Sequence, residues 1–278
     1  MRLRTTSTQR TYRYVRLSIV AATLVLAVSI GLEVARAGVL PSISAAFYTP
    51  AGNLFVGSLC AIALALLVLS GRSIEQGLLD VAAVFALVVA LVPTPFSAPS
   101  CPRGAVCVPA AEIPGVINNG IAVASVSVVV VIVAAVLART QANAGVGTVV
   151  TLATVALVVV GFLAWALIDF ESFVRGAHNV AAVGFFGVIG LVAAVSAWRP
   201  QRAPRRFRVL YGVVAVGILC SLTALVAVLI AGGAATANVG GVPVVFLGES
   251  VVVALFAVFW LVQTVELWDA ADPALRAG

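Results

Sequence analysis

The sequence holds no lysine and a single histidine, His178, among 278 residues. Only 9% of residues are charged, against roughly 25% in a soluble domain. That scarcity excludes a water-soluble domain of any size, because the segments between apolar runs are no longer than ordinary loops. The chain has no GxSxG nucleophile turn, no phosphate-binding glycine loop and no HExxH. One histidine cannot furnish a His-rich zinc site, although it could join two carboxylates in one. No catalytic residue, metal or cofactor is therefore expected. The net charge of +6 does not point to nucleic acid, because all sixteen basic residues are arginines scattered through loops without a continuous patch. The absence of lysine reads as genomic base composition, since either residue serves a topological role.

What is present is hydrophobicity, at 63% of residues with a mean hydropathy of +1.19. It is organised in eight runs that each approach the ~20 residues a helix needs to cross a bilayer. They are Leu17–Arg36, Asn53–Ser70, Leu78–Val92, Gly115–Leu137, Val146–Ile168, His178–Trp198, Val209–Ile230 and Val245–Leu267. The pattern predicts an all-α polytopic transmembrane bundle of eight spans. One membrane domain covers residues 17–267, between an Arg-rich tail at 1–16 and a C-terminal tail at 268–278.

Arginines near span ends mark cytoplasmic loops. Arg2, Arg4, Arg10, Arg13 and Arg16 precede the first run. Arg72, Arg139, Arg199, Arg202, Arg205, Arg206, Arg208 and Arg276 fall on the same side if the chain crosses eight times. The other side has only Arg36, Arg103 and Arg175, a bias of thirteen to three that puts both termini in the cytoplasm of the cell membrane. Cys101 and Cys107 then lie outside, where an oxidising compartment favours a disulfide, and Pro102, Gly104 and Pro109 suit a tight turn. Cys60 and Cys220 fall within runs as small hydrophobes. Ala35-Arg36-Ala37 before Gly38 resembles a signal cleavage site, but the first apolar stretch outruns a signal-peptide core and reads better as a retained anchor.

Lipid gives helices little hydrophobic reason to associate, so small residues that permit close approach matter. Gly184, Gly187 and Gly190 form one such stripe, and Ala122, Ala124, Ser125 and Ser127 a second. Trp165 and Trp198 sit near span ends, whereas Trp260 is deeper and reads as a packing residue. Arg202, Arg205, Arg206 and Arg208 are placed to meet anionic lipid head groups.

Ionisable groups within spans are costly and mark candidate sites. Glu33, Tyr48, Asn53, Asp169, His178 and Glu249 all fall near the outer ends of their segments, with Glu171, Asn118 and Asn119 at the same level. A pair of His178 with Glu249 or Glu33 in an outward-facing cavity is the sharpest expectation. The inner half has less: Glu75, Asp80 and Glu266.

Several segments carry a further resemblance. Ile43-Ser44-Ala45-Ala46-Phe47-Tyr48-Thr49 leads into Asn53-Leu54-Phe55-Val56-Gly57-Ser58-Leu59. Ala90-Leu91-Val92-Pro93-Thr94 closes the third run, and His178, Ala181, Ala182, Phe185 and Phe186 form an HxxAAxxFF pattern. Glu249 and Trp260 follow in the last run. These segments resemble an uncharacterised family of bacterial and archaeal multi-pass membrane proteins with an ISxYYYT-x-x-R/N-x-x-FVG motif. Here Ala46 and Phe47 replace two of its aromatic positions and Gly52 an expected basic residue. The resemblance implies a multi-span fold and agrees with the polar cluster, but it names no reaction.

The sequence thus predicts a non-enzymatic membrane protein with an outward-facing polar pocket near His178 and Glu249, binding a lipid head group or small solute. The alternatives are a secondary transporter and, by analogy to lipid amidases, a membrane-embedded lipid hydrolase.

Overall fold

The computed structural model describes residues 7–69, 73–97, 101, 106–140, 146–198, 204–231 and 237–269. Eight long helices appear in the order of the eight runs: α1 Ser7–Ala37, α2 Gly52–Val68, α3 Ile74–Leu91, α4 Ile113–Thr140, α5 Val146–Ile168, α6 Phe170–Trp198, α7 Arg205–Ile230 and α8 Val244–Glu266. Among the described residues, six helices (α1 and α4–α8) are long and apolar enough to cross a bilayer, the build of an integral membrane protein. The other two are shorter: α2 has 17 residues, and α3 has 18 with Glu75 and Asp80 among them.

Four helices (α1, α3, α6 and α7) start four or more residues before the sequence reading, and three of them show a local reason. Ser73 and Gln76 form a capping box, with Ser73 Oγ accepting from the Gln76 amide and Gln76 Oε1 from the Ser73 amide, so α3 begins four residues before Leu78. Asp169 Oδ1 accepts the Ser172 amide at 3.0 Å, which caps α6 and starts it at Phe170. His178 is therefore more than two turns inside α6 and does not open it. The stretch 7–16, expected as a tail, is helical and part of α1. Its arginines bond the end of α8: Arg13 Nε donates to the Trp268 carbonyl at 2.5 Å and Arg16 Nε to Gln263 Oε1 at 3.1 Å. Residues 1–6 and 270–278 lie outside the described residues, as do Arg72, Arg103, Arg199 and Arg202.

Six helices close a ring: α1 packs on α2, α2 on α3, α3 on α6, α6 on α7, α7 on α8, and α8 back on α1. Every ring helix contributes to one buried core, including Ile19, Leu66, Ala82, Ile189, Ile218 and Trp260. The glycine stripe of α6 serves two seams. A Cβ on Gly184 would stand 2.8 Å from the Phe85 ring of α3, and one on Gly190 would stand 3.1 Å from Leu219 of α7. Trp260, fully buried between Phe256 and Phe259, is the packing residue its depth suggested.

Outside the ring, α5 lies against α3 and α6, and α4 lies against α5 and touches α3. Neither α4 nor α5 has a buried residue in its most apolar stretch. Toward one end of this arm, Thr151 of α5 closes on Gly77 of α3 and leaves no room for a Cβ there; at the other, Val108, Val116, Phe173, Val174 and Ala177 pack the arm to the ring. Cys101 and Cys107 are disulfide-bonded there, and Cys107 pairs with Phe96 in an isolated bridge. The opposite end holds both described chain ends, joined by the Arg13–Trp268 bond. These two poles are called the disulfide end and the terminal end below. A hairpin of Asn238–Val239 and Val242–Pro243 leads into α8, and its turn uses Gly240 and Gly241 at φ +60° and +84°.

Candidate functional site

The residues singled out by sequence do gather at the disulfide end, but their partners are mostly backbone groups. The chain between α1 and α2 folds into a 3-10 turn, Ser44–Tyr48, with Ser44, Ala45 and Ala46 buried. Glu249 of α8 accepts the Ser44 amide and the Ser44 hydroxyl, both at 3.1 Å. The carboxylate thereby satisfies the open N-terminal donors of that turn.

The end of α3 is closed in a complementary way. Pro93 follows Val92 and stops the helix, leaving its last carbonyls without amide partners. His178 Nδ1 lies 2.6 Å from the Val92 oxygen, and the Tyr48 hydroxyl donates to the Thr94 oxygen at 2.9 Å. A carbonyl can only accept, so His178 carries a proton on Nδ1, and in the neutral ring Nε2 is then the acceptor. His178 is 1% exposed, and Nε2 has no hydrogen-bond partner among the described residues. Tyr48 packs against Phe96 at 4.3 Å between ring centroids, with the ring planes tilted by 36°. Burial, and then the nearby charge of Glu112, raise its phenol pKa above the ordinary value.

The remaining candidates separate. Glu33 is buried but bonds Arg36, at 2.6 Å and 3.2 Å, in a groove shared with Ala51 and Leu54. Asp169 is exposed and is the cap of α6. Asn53 is exposed on the first turn of α2. The expected pair of His178 with Glu249 or Glu33 does not form: each of the three is bonded to a different partner. In place of one shared polar cluster, the ring's disulfide end carries separate helix-end caps.

Sequence reasoning underrated the terminal end. There polar side chains bridge neighbouring ring helices: Arg16 to Gln263, Tyr211 to Glu266 at 2.5 Å, and Ser196 to Glu75 at 3.2 Å. Arg16, Glu75, Asp80 and Gln263 are all buried. The available signal was the presence of two acids, Glu75 and Asp80, inside an otherwise apolar α3. Of the arginines at the start of α7, Arg208 donates to the Ala197 carbonyl of α6, while Arg205 and Arg206 are exposed. No group of three or more His, Cys, Asp or Glu side chains suited to a metal occurs among the described residues. No family model, curated protein or solved structure matches this chain.

Proposed function

We propose that the chain crosses the cell membrane eight times with both termini in the cytoplasm, and that its disulfide end faces outward and carries a non-enzymatic binding function. Contact between the first and last helices at one end supports an even number of crossings. The thirteen-to-three arginine bias gives the direction. The disulfide at the opposite end agrees with an oxidising exterior. Arg205 and Arg206 then face the anionic lipids of the inner leaflet.

The ligand in this reading is a lipid head group or small solute that donates a hydrogen bond to His178 Nε2. The observation that carries it is that nitrogen: a buried acceptor without a partner among the described residues. A buried polar atom left unpaired costs about 1–3 kcal/mol, so a donor there is favoured. The test uses His178→Asn, whose amide retains a donor toward Val92 and removes Nε2. Solutes and lipids that raise the melting temperature of the wild type in nanodiscs should fail to raise that of His178→Asn. Equal shifts in both proteins would rule out a ligand at this atom.

Polar networks at both ends of the ring, with an apolar core between them, favour secondary transport as a second reading. Gradient-driven solute uptake into proteoliposomes would promote it. A membrane-embedded lipid hydrolase is the third reading: the Val92 carbonyl at His178 Nδ1 is the kind of partner that orients a histidine with its Nε2 free.

A further inference from the structure

The small-residue surface of α4 was expected to receive a neighbouring helix. Instead Ala124, Ser125 and Ser127 line an open cleft of about 500 Å³, within the size range of ligand sites. Its other wall is apolar and comes from α3, α5 and the first turns of α6, with Val88, Leu91, Phe162 and Phe173 at its centre. A Cβ added at Gly120 would meet nothing within 4 Å, so small side chains keep this space open rather than filling a contact. The rim residues Ile121 and Leu167 are 64% and 85% exposed, and α4 is flanked by exposed valines. The cleft therefore opens sideways, onto a surface that hydrocarbon rather than water must cover.

Two features at the disulfide end of the cleft define what enters it. Asn119 lines the cleft; its Oδ1 accepts from Asn118 at 3.3 Å, and its own amide hydrogens have no partner among the described residues. The first turns of α4 and α6 are flanked by Glu112, Asp169 and Glu171; among the described residues of these two turns the basic group is Arg175, 3.6 Å from Glu171. This rim repels a phosphatidylglycerol head or a fatty-acid carboxylate and attracts an ammonium group.

We infer that the cleft holds one acyl chain of a phosphatidylethanolamine-type lipid. Its ester carbonyl accepts from Asn119, and its ammonium meets the acidic rim. The inference rests on the chain's membrane residence but not on a ligand at His178.

Native mass spectrometry from nanodiscs of equimolar phosphatidylethanolamine and phosphatidylglycerol tests it. The wild type should retain one phosphatidylethanolamine in preference to phosphatidylglycerol. Ala124→Phe, which fills the cleft, should lower that retention about tenfold, the equivalent of ~1.4 kcal/mol. Asn119→Ala should lower it about threefold, as the loss of one neutral hydrogen bond implies. Glu112→Gln with Glu171→Gln changes charge without volume and should bring the two lipids to equal retention, a readout that stands even if Ala124→Phe fails to fold. His178→Asn should leave retention unchanged, which separates this site from the one proposed above. Equal retention of both lipids by the wild type, or an unchanged preference in the charge-neutralised protein, would overturn the inference.

Discussion

The ring and the arm are made of the same residues and are held together differently. Ring helices bury aromatic and glycine surfaces against two neighbours each, and their polar side chains are bonded at both poles. The arm helices α4 and α5 are richer in valine, yet no residue in the most apolar stretch of either is buried, and the buried apolar cluster that they share with the ring lies at the disulfide end. Hydrophobicity therefore does not decide packing in a membrane, because lipid solvates a valine as well as a neighbouring helix does. Shape and polar satisfaction decide it. Gly184 brings α6 onto Phe85, whereas Gly120 on α4 faces open space.

This contrast is sharpest in substitution effects. Trp260→Ala removes the largest fully buried side chain of the ring and should cost about 3–5 kcal/mol by urea or thermal unfolding in detergent. A loss under ~1 kcal/mol would mean that the ring core is not the stabilising unit. Gly184→Leu, which drives a side chain into Phe85, should cost about 1–3 kcal/mol, while Gly120→Leu in the arm should fall within about 0.5 kcal/mol of the wild type. Similar losses for the two would erase the distinction between ring and arm.

Caps at the disulfide end come next in size. Glu249→Ala strands the Ser44 amide and hydroxyl and should cost about 1–3 kcal/mol, with Ser44→Ala costing less. Tyr48→Phe should cost about 1 kcal/mol through its bond to Thr94. Tyr48 also gives a pH signature. Its folded pKa is raised, so the native state holds the proton longer than the unfolded chain does. Its contribution is complete below the ordinary phenol value of about 10 and is lost as pH climbs through and above it. Alkaline unfolding of the wild type should therefore be steeper than that of Tyr48→Phe, and coincident pH profiles would count against a buried, bonded phenol.

Much of this architecture can be read in the amino acids. Eight apolar runs became eight helices, and Cys101 and Cys107 are joined. Helix starts were less legible because capping residues override hydrophobicity: Ser73 and Asp169 extend α3 and α6 across polar stretches that look like loop. Side-chain composition could place His178, Tyr48 and Glu249 at one level. It could not reveal that their partners are the backbone oxygens of Val92 and Thr94 and the amide of Ser44, because backbone groups leave no trace in residue identity. Nor could it show that the small face of α4 has no helix against it, since small residues serve close packing and open clefts alike.

The proposed outward direction of the disulfide end can be measured in intact cells. After treatment with a membrane-impermeant reductant, an impermeant maleimide should label Cys101 and Cys107, and it should fail to label a Cys101→Ser, Cys107→Ser protein that retains Cys60 and Cys220 within helices. Labelling that appears only after the cells are permeabilised would place that end in the cytoplasm and contradict the account.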